Sequence, residues 1–146
     1  MKIYLDNCSL QRPLDSRVST RLILEAEAIL SVLGSLESGR IELVSSEALL
    51  FEIKSAPSSM RREYALEVLS KARTFVRLNE RTEKRAARFV ALGVKPLDAL
   101  HLASAEAAKA DRFCTCDDRL LQKAKVIAGL RIRPVSPIEL IEELEQ

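Results

Sequence analysis

Five short runs rich in apolar, β-branched or aromatic residues punctuate the chain, and a segment of helical spacing follows each of them. The runs are Ile3–Leu5, Ile41–Val44, Thr74–Leu78, Arg112–Thr115 and Ile132–Val135. Such alternation leaves few ways to fold. Strands joined through helices run parallel, and the helices must cover the faces of the sheet. The expected architecture is α/β: one domain over residues 1–146, with a central parallel β-sheet flanked by α-helices.

The residues between the runs agree with this. Apolar residues recur at helical spacing from Ser19 to Glu37, and Gly39 closes that helix. Ser45 or Ser46 can cap a helix carrying Ala48 to Ile53, which Ala56-Pro57 stops. Ser58-Ser59 opens a helix to Ala72, and Asn79 caps another to Leu92, ended by Gly93. Val94-Lys95-Pro96 is a turn before an Ala-rich helix from Leu97 to Ala110. Asp117 or Asp118 caps a helix to Ala128, and Pro137 starts a terminal helix at its favoured first position. Leu10 to Asp15, which contains Pro13, reads as a loop. The chain has no internal repeat, linker or low-complexity stretch.

Composition excludes several function classes. Trp is absent and aromatics are 4% of the 146 residues, so stacking of bases on an aromatic platform is not the main mode of binding here. No apolar run approaches membrane-spanning length, and no apolar leader precedes the first strand. With three cysteines, an odd number, a reducing cytoplasmic setting is expected. The net charge of +2 says little by itself.

The placement of acids says more. Open parallel sheets bind ligands beyond the carboxyl ends of their strands. Asp6 follows the first strand directly, in "IYLDNC", and Asp117-Asp118 follow the fourth, in "FCTCDDRLL". Asp98 opens a helix through Pro96 in "PLDALHLASA". Glu52 sits among Leu49, Leu50, Phe51 and Ile53 in "SSEALLFEI". Taken singly, each acid has an ordinary explanation: a helix cap, a dipole partner, or for Glu52 an ion pair with Arg61 or Arg62. Converging, Asp6, Glu52, Asp98 and Asp117 would repel one another and call for a hard divalent cation, Mg²⁺ or Mn²⁺. Such a cation activates water and stabilises charge on a phosphoryl group.

These four segments, in this order, resemble the PIN-domain proteins, and most closely the small VapC-like toxin ribonucleases. The resemblance covers nearly the whole chain. It implies a metal-dependent endoribonuclease that cleaves RNA phosphodiester bonds, the toxin of a type II toxin–antitoxin pair. It further implies neutralisation by an antitoxin protein and, often, a homodimer. It maps the site onto Asp6, Glu52, Asp98 and Asp117, with Asp6, Asp98 and Asp117 on the metal and Glu52 completing the pocket. Thr115 matches the Thr of the Thr-x-Asp motif and would orient a carboxylate or a water. The chain departs from the pattern after Asp6, where Asn7 and Cys8 replace a small hydroxyl residue followed by Asn. Asn7 is a supporting residue on this reading. Asp118 is a weak ligand or a helix cap, since Thr115-Cys116-Asp117 fits the motif spacing.

Other polar residues have plainer readings. His101, the only histidine, follows Asp98 by three positions and reads as a half-buried core residue, with contact to substrate or Asp98 as the functional alternative. Cys114 and Cys116 read as small core residues, and Glu47 as a first-turn dipole partner. Arg12 and Arg17, with Arg21, follow the Asp6 segment and are candidate RNA contacts. Arg81, Lys84, Arg85 and Arg88 share one helix face, either as a solvated surface or as an RNA contact. Setting aside the four site acids leaves the rest of the molecule at about +6, a favourable surround for RNA.

Two rivals stand beside the nuclease. One is a non-catalytic RNA-binding or interaction module on the same fold, for which the altered Asn7-Cys8 stretch speaks. The other is a small-molecule phosphatase, which lacks a Gly-rich phosphate cradle because the four glycines are scattered.

Overall fold

Ile3, Tyr4 and Leu5 are each 0–1% exposed, as befits a strand covered on both faces. They belong to β1 (Lys2–Leu5) in a computed structural model that describes all 146 residues. α1 (Asn7–Gln11) and a 3₁₀ turn (Arg12–Leu14) lead to α2 (Thr20–Glu37) and β2 (Glu42–Ser46). α3 (Glu47–Lys54), α4 (Ser59–Leu69) and β3 (Thr74–Val76) come next, then α5 (Glu80–Ala91) and α6 (Pro96–Ala107). β4 (Arg112–Cys114), α7 (Asp118–Lys125), β5 (Arg133–Val135) and α8 (Pro137–Leu144) complete the chain.

All the pairings are parallel and the strand order is β3-β2-β1-β4-β5. β1 therefore lies in the middle, with Ile3 opposite Leu43 on one side and Tyr4 opposite Phe113 on the other. The chain builds outward from β1 through β2 to β3, then crosses to β4 and β5. The order reverses between β1 and β4, which is where a sheet of this kind leaves a crevice for ligand at its carboxyl edge. A cluster of 31 buried residues fills the space between sheet and helices, with Tyr4 stacked on Phe113 at 5.4 Å.

Local chemistry sets most boundaries. Ser19, Ser58 and Asn79 cap α2, α4 and α5, and Ser46 rather than Ser45 caps α3 by accepting from Leu49 N. Ser136 and Glu139 form a reciprocal capping box on α8. α6 has no side-chain cap and relies on Pro96, whose fixed φ suits a first turn. Gly93 leaves α5 at φ +99, a conformation that side chains oppose. α6 ends through Lys109 at φ +56, where glycine is usual; a side chain there costs roughly 1 kcal/mol.

Two expectations need correction. The loop expected over Leu10–Asp15 is instead the end of α1 and the 3₁₀ turn. Asp6 caps α1 with its own carboxylate, and Pro13 falls at the start of the next turn, where its missing N–H is not needed. The third strand stops at Val76 rather than Leu78, because Leu78 N donates to Glu47 Oε1 at 3.0 Å instead of to a neighbouring strand. Glu47 is thus a loop anchor as well as a first-turn acid.

Candidate active site at the β1–β4 crevice

The carboxylate that ends β1 is 5% exposed. Asp6 Oδ1 accepts from Ser9 N at 3.1 Å and from the Cys8 thiol at 3.1 Å. Ser9 Oγ donates in turn to the Cys114 carbonyl at 3.1 Å, so α1 is fastened to β4 beneath the acid. Burial pushes the Asp6 carboxyl up from its ordinary range, against hydrogen bonds from Thr115, Cys8 and Ser9 that favour the charged form. Thr115 also accepts Asp117 N–H at 3.0 Å and so ties the first and last acids together. Asn7 accepts only a long bond from Gln11 Nε2, at 3.4 Å.

Asp117 is exposed and is the N-cap of α7, its Oδ1 accepting from Arg119 N at 2.9 Å and Leu120 N at 3.2 Å. Asp118 is not the cap of α7. Arg21 grips both its oxygens, at 2.7 and 2.8 Å, and that bond lowers its pKa. The doublet thus separates: one acid caps α7 beside the crevice and the other is held by α2.

Asp98 occupies the first turn of α6, half-buried, and makes no hydrogen bond within the protein. Burial raises its pKa, and Asp6, Asp117 and Glu52 push it further up. Asp98 therefore lies within electrostatic reach of the three acids that the other segments bring.

Glu52 is not paired with Arg61 or Arg62. Its Oε1 accepts from His101 Nε2 at 2.9 Å. His101 is 1% exposed, not half-buried, and its Nδ1 lies 2.6 Å from the Tyr4 hydroxyl, which lies 2.7 Å from Ser46 Oγ. Ser46 Oγ already accepts Leu49 N–H at 3.1 Å. One polarity satisfies every atom: Ser46 donates to Tyr4, Tyr4 to Nδ1, and the Nε2–H of a neutral imidazole to Glu52. This buried chain runs from β2 through β1 to α6 and aims Glu52 from α3. The sequence hinted at it only through the spacing of His101 from Asp98; Tyr4 and Ser46 are 97 and 55 positions from His101. Tyr4→Phe removes the central hydroxyl and leaves His101 Nδ1 without its donor. Urea unfolding should show a loss of about 1–3 kcal/mol.

The basic residues after Asp6 are largely engaged. Arg12 faces Asp15 at 2.9 Å and buried Glu25 at 3.3 Å, Arg17 meets Glu27 at 2.8 Å, and Arg21 holds Asp118. These pairs explain why acids and bases alternate there; Arg12 is engaged by a buried partner, whereas the Arg17–Glu27 pair is exposed and leaves Arg17 able to meet a phosphate. Cys114 and Cys116 are buried as expected, and their sulfurs lie 3.8 and 3.7 Å from Ser9 Oγ.

A parallel, doubly wound sheet with carboxylates gathered at its switch point defines a class of α/β domain built to handle a ligand beyond β1 and β4. The sequence pattern of the PIN domain family matches residues 12–126, and the chain belongs to that family. The match begins after Asp6 and contains Glu52, Asp98 and Asp117. No curated protein matches the chain. Among solved structures the fold is similar to that of VapBC2 from Rickettsia felis, crystallised bound to a DNA fragment from their promoter. The TM-score is 0.58 at 11% identity, over 93% of this chain and 98% of that one, which is a likeness of fold. No helix is long and apolar enough to cross a membrane.

The donor set suits a hard cation. Glu52 Oε2, Asp117 Oδ2 and both oxygens of Asp98 carry no hydrogen bond from the protein, while Glu52 Oε1 and Asp117 Oδ1 are held. No three His, Cys, Asp or Glu side chains stand close enough together to hold a metal ion between them. A hard cation here would take one or two carboxylates directly and reach the others through water, as magnesium does.

Proposed function

We propose that the chain, read as one domain, is an Mg²⁺- or Mn²⁺-dependent endoribonuclease acting in the cytoplasm. The observation that carries this reading is that four segments bring Asp6, Glu52, Asp98 and Asp117 to the carboxyl edge of the sheet, near enough that Asp98, raised first by burial, is raised further by the other three. Asp6, Asp98 and Asp117 would hold the cation, directly or through water. A bound divalent ion supplies Lewis-acid stabilisation of charge on the phosphoryl oxygens and lowers the pKa of water. The chain's own residues do the rest. Hydrogen bonds from Thr115, Cys8 and Ser9 favour the charged form of Asp6 against its burial and hold the carboxylate in place. The Ser46–Tyr4–His101 chain fixes Glu52 by one oxygen and leaves Oε2 to hold or deprotonate the attacking water. Membership of the PIN family and the VapBC2-like fold support the further reading of a toxin restrained by an antitoxin protein and paired with a second copy of itself.

The direct test is cleavage of a mixed RNA pool with Mn²⁺, with Mn²⁺ plus EDTA, and with Asp98→Asn. Cleavage that needs the ion and disappears in the variant supports the nuclease. The open spacing of the acids favours one alternative, a non-catalytic RNA-binding module. On that reading no cleavage occurs, and Asp6→Asn and the parent bind RNA equally.

A further inference from the structure

Away from the acids, α5, the far half of α6 and the turn before β5 enclose a groove of about 570 Å³. Arg81, Lys84, Arg85, Arg88, Lys109 and Arg131 line it, and Glu106 is its only acid. That acid is already used. Glu106 is buried and accepts from Arg85 Nε at 2.7 Å, Arg85 Nη2 at 3.0 Å and Arg131 N at 2.8 Å. Arg85 also donates to the Gly129 carbonyl at 3.1 Å and lies 4.6 Å over the Phe89 ring. The pair therefore builds a rigid floor and offers no net charge to a ligand.

The walls are different. The side chains of Arg81, Arg88, Lys109 and Arg131 make no ion pair or hydrogen bond within the protein, and Lys84 meets only the exposed Glu80, at 3.1 Å. Lys109 keeps a cation at the left-handed end of α6, where glycine would relieve the backbone. The only apolar residues in the lining are Ala103 and Ala107, so the groove has no pocket for the hydrophobic anchors on which peptide recognition relies. Nor does the lining contain an aromatic face for a base.

We propose that this groove binds the phosphodiester backbone of single-stranded RNA, as a docking track separate from the acid pocket. The inference rests on RNA as the substrate class. Contacts of this kind are to charge alone, so binding is independent of sequence and steeply dependent on salt. Asp98 and Glu106 are about 12 Å apart along α6, and Ala103 and Ala107 fall on the side of the helix away from Asp98. An RNA of only two or three nucleotides cannot use both places.

The test is fluorescence anisotropy of a labelled single-stranded RNA of about a dozen nucleotides with the full chain in EDTA, over a salt series. All the altered residues are exposed, and thermal melts check that the variants fold. The combined R81Q, R88Q and R131Q variant should lose about 10- to 100-fold in affinity at low salt. Its slope of log affinity against log salt should fall by about 2, since each phosphate contact contributes about 0.7. The combined K54Q, K71Q and R73Q variant, equal in charge change but remote from the groove, should match the parent. Equal losses in the two variants, or no RNA binding by the parent, overturn the proposal. So does displacement of the RNA by a polyglutamate peptide whose affinity falls with the groove variant while that of RNA does not. Groove-dependent binding without cleavage under any condition refutes the nuclease and keeps the groove; cleavage with an unaltered groove variant does the reverse.

Discussion

Asp98→Asn is expected to abolish RNA cleavage and, in the same protein without metal, to raise the thermal midpoint at neutral pH. The two effects have one cause. Asp98 is raised by burial and by Asp6, Asp117 and Glu52, so the folded chain binds its proton more tightly than the unfolded chain does. A raised carboxyl favours the fold at acid pH, and that support is lost as pH rises through the folded pKa. Asp6, raised by burial, acts in the same direction. The metal-free protein therefore loses stability from these groups between the ordinary carboxylate range and their raised values. Asn keeps the size and removes the repulsion, while a divalent cation removes it in the parent. Scanning calorimetry of parent and variant at acid and neutral pH, with and without Mn²⁺, reads all of this. The variant should gain stability at neutral pH only, and Mn²⁺ should stabilise it less than the parent. Cleavage should fall by roughly 10³ if Asp98 supports charge that develops only in the transition state. A variant less stable than the parent at neutral pH would show that the acids do not repel one another in solution.

Phe113→Ala should remove about 3–5 kcal/mol of stability, a large share of the 5–15 kcal/mol typical of a whole domain. Phe113 is 0% exposed on β4, opposite Tyr4 across the parallel pair and stacked on its ring at 19°. Removing the ring opens a cavity in the centre of the sheet, where neither strand can move inward without breaking its pairing. It also removes the surface that holds Tyr4 against His101. Urea unfolding checks the size, with an unchanged denaturant slope. Phe113→Leu, which leaves most of the volume filled, should recover the greater part of the loss. A loss below 1 kcal/mol would mean that the β1–β4 contact is not packed as described.

Much of this molecule is legible from local patterns. Apolar runs of strand length, Ser and Asn caps, Pro96 and Gly93 act through neighbours within a turn, so their effects are written in adjacent residues. The acids at strand ends were visible for the same reason. Where a side chain had two local uses, the pattern could not choose. Asp117 and Asp118 are equivalent caps on paper; Arg21, almost a hundred positions away, takes the second and leaves the first. Arg12 looks like a free cation until α2 brings Glu25 against it. His101 looks like core until Tyr4 and Glu52 meet its two nitrogens.

The sequence by itself determined the alternation of strands and helices, the parallel sheet it entails, and which carboxylates could reach the sheet's carboxyl edge. Periodicity and capping depend on residues close in the chain, and physical chemistry acts on them before any tertiary contact forms. Only the tertiary structure decided the strand order that opens the crevice between β1 and β4, the hydrogen-bonded chain that aims Glu52, and the pairing of Glu106 with Arg85 that leaves its neighbouring cations free. Each of these joins segments tens of residues apart, and the partner of a buried polar group is chosen by whatever packing brings within reach.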